Sequence, residues 1–170
     1  MLENLLTRPP STDGGGLVKP FQYFRMFITA RNESAAITVG EWEILDGSGV
    51  NRARGRAASA SDQGFGNASA AFDGIVPATL AQPRWQTNSA TNPQWLQVNI
   101  GSQIQAKQFV LYCDTSSIPN FANYSAQNWK FQGSNNGVDW EDILSVSGWT
   151  VAVWKTKRKH VWNADGSPVT

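Results

Sequence analysis

The chain has 170 residues, 41% hydrophobic and 16% charged, which suits one domain with a short arm around a single core. Lys+Arg 14 against Asp+Glu 13 leaves a net charge of +1, so no global field steers it to nucleic acid or an anionic membrane. One Cys and one His exclude an internal disulfide and zinc sites of the Cys/His-cluster type, and no stretch approaches the ~20 apolar residues of a membrane span. Residues 1–20 read as a flexible N-terminal arm, and Glu3, Pro9-Pro10 and the glycines at 14–16 do not make a signal peptide. Leu2, Leu5 and Leu6 form an apolar cluster that so short a segment cannot bury. The arm is therefore expected to order only against a neighbouring subunit or another protein.

Residues 21–170 read as one domain of short strands punctuated by turns. Phe21 to Ala30 is rich in β-formers, and Ile37 to Leu45 alternates, with Trp42 and Ile44 facing one way and Glu41 and Glu43 the other. Asp46 to Gly49 is a turn, and a long polar stretch from Asn51 to Pro93 holds strand-like material only in pieces. Trp95 to Ile100 alternates again, and Gln108 to Cys113 is a further strand. Trp129 to Gly133 and Val138 to Ile143 flank Ser134-Asn-Asn-Gly137, a hairpin signal in which Asn136-Gly137 supplies positive φ angles. Trp149 to Trp162 is expected to give one or two more strands. Eight Trp, 8 Phe and 3 Tyr are a heavy aromatic load, and each indole needs a core or a ligand. The pattern is all-β, a sandwich, with the composition of a binder of neutral polar ligands.

Four segments then follow a known order: Ala68-Ser-Ala-Ala-Phe-Asp-Gly74, Trp85, Pro93-Gln-Trp-Leu-Gln-Val-Asn-Ile-Gly101, and Gly133-Ser-Asn-Asn-Gly-Val-Asp-Trp140. This order resembles the discoidin, or coagulation-factor type C, domain of the galactose-binding-like superfamily, over about residues 21 to 162. The resemblance implies a discoidin-like jelly-roll β-sandwich, with Trp140 closing one end of the barrel. It also implies a structural Ca²⁺ held by Asp73, by backbone carbonyls around Ala70 and Thr79, and by a strand carboxylate, here Glu41. The family's closing Ala-Glu-Ile-Glu-like strand normally comes last. Here the similar Gly40-Glu-Trp-Glu-Ile44 comes first, preceded by Tyr23-Phe-Arg-Met-Phe-Ile28. That permuted order is similar to bacteriophage tail and decoration modules.

The resemblance places ligand contacts on loops at one end of the sandwich. The matching loops carry Phe65, Trp85, Phe121 and Tyr124 beside Asp62, Arg84, Asn88, Asn120 and Asn123. Rings to stack on sugar C–H faces and amides to bond hydroxyls suit a glycan. Sugar-binding relatives often carry an Arg just after the strand matching Phe109 to Tyr112; here Cys113-Asp114 stand there, which argues against galactose itself. Lys155-Thr-Lys-Arg-Lys-His160 is the only charge run, with Lys155, Lys157 and Lys159 on one side of a strand and Trp154, Arg158 and Trp162 on the other. It reads as a lysine-guarded edge or as a patch for phosphate or acidic polysaccharide.

Catalysis has little support. His160 lies inside the Lys run with no acid partner nearby, and Glu41 and Glu43 point the same way rather than across a bond. Asn32, Asn67 and Asn123 begin Asn-x-Ser sequons, expected to be unused without a secretory signal. The expected protein is a non-enzymatic virion structural, decoration or tail module, folded in a host bacterial cytoplasm. It attaches to other virion proteins or to itself and also meets host-surface glycans. The alternative is a free-standing carbohydrate-binding, lectin-like domain.

Overall fold

The computed structural model describes residues 6–7, 18–32, 36–78, 82–89, 91–112 and 121–169. Among these the chain forms strands β1 (Leu6–Thr7), β2 (Phe21–Arg31), β3 (Thr38–Val39), β4 (Glu41–Leu45), β5 (Ala57–Ala60), β6 (Trp85–Gln86), β7 (Gln94–Ile104), β8 (Gln108–Tyr112), β9 (Ala126–Ser134), β10 (Glu141–Val146) and β11 (Lys159–Asn163). Two 3-10 turns, Ala68–Ala71 and Phe121–Tyr124, and one helical turn, α1 (Val151–Trp154), complete the described elements. The strands make a six-stranded sheet in the order β1-β10-β9-β2-β7-β5, a three-stranded sheet β11-β8-β4, and the small pair β3-β6. Every pairing is antiparallel. The discoidin-like β-sandwich expected from the sequence is the observed fold.

Period-two alternation builds the core. Phe24, Met26 and Ile28 of β2, Leu96, Val98 and Ile100 of β7, and Trp129 and Phe131 of β9 point inward from the large sheet. Trp42 and Ile44 of β4, Phe109 and Leu111 of β8, and Trp162 of β11 meet them from the small one. Phe109 stacks on Phe131 across the interface at 4.4 Å between centroids. Rings this close bury large apolar areas and add edge and stacking terms of about 1 kcal/mol per pair.

Several expectations need correction. Residues 149–158 are not a strand: α1 turns there, and strand structure resumes only at Lys159. An extended chain would point Trp149 and Trp154 to opposite faces, because they are five residues apart. The helical turn brings both against Trp129, at 5.8 and 5.6 Å. Trp140 does not close the barrel. It lies half-buried on the outer face of the large sheet, with the Arg25 guanidinium 4.1 Å over its ring. Asn136 keeps a negative φ, and Gly137 alone takes the positive one, at 73°. Residues Leu6–Thr7 pair with Ser145 and Val146 of β10, so this part of the arm lies on its own domain rather than only against a neighbour. Residues 1–5 and 8–17 lie outside the described residues.

His160 is 3% exposed and packed among Trp149, Trp154 and Trp162, with centroids 5.0, 4.9 and 6.2 Å away. Burial holds its pKa below the ordinary histidine value, and nearby Lys157 pushes the same way. Below about pH 6.5 the unfolded chain binds a proton that the folded chain refuses, so folding stability falls as pH drops through that range. Substituting His160→Phe is expected to flatten this acid limb of the melting curve. An acid limb unchanged in that variant would refute the assignment.

Candidate functional site

Strand register gathers the loops at one end of the sandwich. Ile28 pairs with Gln94, Ala60 with Leu96, and Arg31 with Ala126. The chain leaving β2 and β5 and the chain entering β7 and β9 therefore emerge together. Loops 61–67 and 82–89 zip into one unit there. The amides of Gly64 and Phe65 donate to the Gln86 carbonyl at 2.8 and 3.1 Å, and Gln86 N–H returns to Phe65 O at 3.0 Å. A Cβ on Gly66, whose φ is +66°, would fall 2.0 Å from Arg84 O, so this close approach requires glycine. The Asp62 carboxylate accepts from the amides of Asn88 and Ser89 at 2.8 and 2.6 Å.

The expected ligand residues divide in this frame. Phe65 is 44% exposed, and Arg84, only 6% exposed, backs its ring with the guanidinium 4.1 Å from the centroid. Burial lowers the Arg84 pKa from the ordinary guanidinium value. Asn88 is exposed beside them, while Asp62 is committed to fastening the two loops. Trp85 is a correction: it is wholly buried, belongs to the core, and donates its Nε1–H to Asp62 O at 2.8 Å. It offers no face to a ligand. Asn123 and Tyr124 sit half-buried on the second 3-10 turn, and Asn123 Oδ1 is buried without a hydrogen-bond partner. Asn120, the Phe121 side chain, and Cys113-Asp114 lie outside the described residues.

Asn32, singled out only as a sequon, ties this end together. Its amide nitrogen lies 2.9 Å from Ser125 Oγ and 3.0 Å from Trp149 O, and its backbone N–H donates to Ser125 O. No spacing in the sequence signals that role, because its partners are more than ninety residues away. Asn67, the second sequon residue, caps the first 3-10 turn by accepting from Ala70 N–H.

A second constellation lies where β4 meets the loop after Ala68–Ala71. Glu41 is completely buried; its Oε1 accepts from Gly74 N–H at 3.1 Å, and its Oε2 has no hydrogen-bond partner. Burial, then the charge of Asp73, raises its pKa to about 8, with Glu43 adding and the Gly74 amide and Arg54 opposing. Asp73 Oδ1 accepts from Ile75 N–H at 2.7 Å, closing a turn in which Gly74 has φ +83°. A buried carboxylate with an unsatisfied oxygen beside a second carboxylate fits a hard cation. No three acidic, His or Cys side chains cluster among the described residues, so backbone carbonyls would complete such a shell. Ala70 is described and buried nearby in the chain; Thr79 lies outside the described residues.

The Lys run disperses. Lys155 is exposed after α1, Arg158 donates to the carbonyls of Val76 and Pro77 at 3.2 and 2.7 Å, and Lys159 lies 5.8 Å over the Tyr112 ring. It is not one patch.

An antiparallel sandwich presenting ordered loops at one end, with a rigid ring and amides on them, is the architecture of a binding module. The profile of the F5/8 type C domain matches residues 56–170, more than half of the chain, and the chain belongs to that family. It is thus a galactose-binding-like module of the carbohydrate- or protein-binding kind. No curated protein and no solved structure matched it. β2 and β4 lie outside the matched residues, yet β2 stands at the centre of the large sheet and β4 at an edge of the small one. No helix among the described residues is long and apolar enough to cross a membrane.

Proposed function

We propose that the loop end binds a saccharide and that the chain is a non-enzymatic adhesion module of a virion. The observation that carries the saccharide reading is Phe65: one ring face is held by the buried Arg84, its position is fixed by the zipped loops, and it remains 44% exposed. A ring held in this way loses little freedom when a sugar stacks on it. Asn88 supplies amide groups for hydroxyls alongside. Phe65→Ala is expected to abolish binding on a glycan array while shifting the melting temperature by no more than a degree or two, since the side chain is already half in water. Retained glycan binding in that variant would end the reading.

The virion placement, as a decoration or tail component contacting other virion proteins or copies of itself after folding in a bacterial cytoplasm, draws on the permuted strand order. What supports permutation is where the ends of the described domain lie. Gln105 Nε2 donates to Val18 O, and Ala164 N–H donates to Lys107 O, so both ends meet the β7–β8 connection. A protein inventory of purified particles tests that placement. The alternative, a free-standing lectin-like domain, rests on the same Phe65 surface and predicts a monomer that binds glycans alone.

We also assign a structural Ca²⁺ to Glu41 and Asp73, with carbonyls around Ala70 and Thr79. The cation would supply positive charge to the unsatisfied Glu41 oxygen and tie β4 to the loop at Gly74. Non-enzymatic function is supported by the surroundings of the titratable groups: Glu41 is enclosed under Gly74, and His160 is walled in by indoles.

A further inference from the structure

The segment Arg52-Ala-Arg-Gly-Arg56 crowds three arginines together, and the fold sends them to three places. Arg52 pairs with Asp46 at 2.5 Å. Arg56 turns toward Gly101, where a Cβ would fall 3.7 Å from its Nη1. Arg54 goes to the carboxylate pair. The turn that carries it is bolted to the neighbouring loop: Arg56 N–H donates to Ala53 O at 3.1 Å, and Gly55 N–H donates to Phe72 O at 2.7 Å, next to Asp73 in the chain. The Arg54 guanidinium lies on Gly74 so closely that a Cβ there would fall 2.4 Å from Nε and 2.7 Å from Cζ. Gly74 is also the residue whose N–H reaches Glu41 Oε1. Guanidinium and buried carboxylate thus meet at one glycine.

Among the described residues no hydrogen bond or ion pair holds the Arg54 head group, and Arg54 is exposed. Its neighbours on the far side of these acids are already committed. Arg158 donates to the carbonyls of Val76 and Pro77, and the Tyr112 hydroxyl donates to Glu43 Oε2 at 3.4 Å. What draws Arg54 to Gly74 is charge, since it favours the ionised form of Glu41. We propose that Arg54 is a built-in counter-cation for the Glu41–Asp73 pair, and that a metal ion entering the pair has to push it aside. The inference rests on the cation reading above and adds the group that sets how tightly the ion is held. Two positive charges repel when they share one small site, and a side chain that makes no hydrogen bond and reaches solvent moves away at little cost. Arg54 therefore weakens the ion's hold while shielding the carboxylates when no ion is present.

The test is calorimetric Ca²⁺ titration of the full chain at about pH 9, above the value of about 8 at which Glu41 ionises, comparing the parent with Arg54→Gln and Arg54→Lys. Arg54→Gln is expected to bind Ca²⁺ about five- to tenfold more tightly, with a gain that shrinks as salt rises. Arg54→Lys keeps the charge and should bind like the parent. In chelator the order reverses: Arg54→Gln should melt a few degrees below the parent, having lost the charge that faces Glu41, and Arg54→Lys should not. Equal Ca²⁺ affinity in the parent and Arg54→Gln would overturn the counter-cation and leave the cation site standing. A gain in Arg54→Lys as large as that in Arg54→Gln would make bulk rather than charge the obstacle, and would overturn it too. If neither the parent nor Arg54→Gln takes up Ca²⁺, the cation reading fails and this inference falls with it.

Discussion

In the presence of a chelator, the melting temperature is expected to fall steadily as pH rises from about 6.5 to about 8, above the range in which His160 acts. The cause is Glu41, whose carboxyl titrates near the ordinary 4.5 when unfolded and about 8 when folded. Between those values the folded state holds a proton that the unfolded state has released, so stability present at low pH is lost as pH rises through the window. At about 1.4 kcal/mol per unit, the loss from about pH 6.5 to about 8 is on the order of 2 kcal/mol. Calcium should reverse this. A cation bound at Glu41 and Asp73 favours the carboxylate, releases the proton, and stabilises the native state by mass action. Saturating Ca²⁺ should therefore flatten the slope and raise the melting temperature most at alkaline pH. Glu41→Gln keeps an acceptor for Gly74 N–H and removes the titration, so in chelator its curve should be flat from about pH 6.5 to about 8 and indifferent to calcium. A chelated protein whose stability is level from about pH 6.5 to about 8 would contradict the burial argument. A slope unaffected by calcium would leave Glu41 a buried acid and remove the cation.

Trp85→Ala is expected to destabilise the domain by about 3–5 kcal/mol, the usual cost of emptying a buried indole site. For a chain of this length that is a fall of roughly 10 °C in melting temperature. Two losses combine. The ring leaves a cavity in the core, and Asp62 O, which accepts from Trp85 Nε1–H at 2.8 Å, loses its donor. Asp62 also fastens the amides of Asn88 and Ser89, so the damage reaches the loops that hold Phe65. Trp85→Phe keeps most of the packing and should retain saccharide binding. If Trp85→Ala melts like the parent protein yet fails to bind, the indole contacts ligand and its placement in the core is wrong.

The strands of the core were legible because alternation is a local property. Trp42 and Ile44, or Leu96, Val98 and Ile100, declare one buried face within a few residues of each other. The limits of that signal show at Trp149 to Lys159, where aromatic and β-branched residues read as strand. Burying both Trp149 and Trp154 against Trp129 instead bends the backbone into a turn of helix. Short pieces such as β5 and β6 lie in the polar stretch and carry no period of their own; their pairing with β7 and β3 makes them strands. The candidate site divides in the same way. Phe65, Arg84 and Asn88 were recognisable as chemistry suited to sugars, and they do meet in space. Trp85 is the same residue type in the same loop region, and only its enclosure by the core separates it from a ligand contact.

The sequence by itself determined the class: low charge, alternating short strands, turn glycines and four ordered motifs lead to an all-β binding module of the F5/8 type C family. Those are statements about composition and neighbours along the chain. Tertiary structure decided which groups share an environment. It buried Glu41 beside Asp73, 32 residues away in the chain, and split the Lys run among separate surfaces. Desolvation and Coulomb interaction depend on distance and burial in space, and neither can be read from positions along a chain.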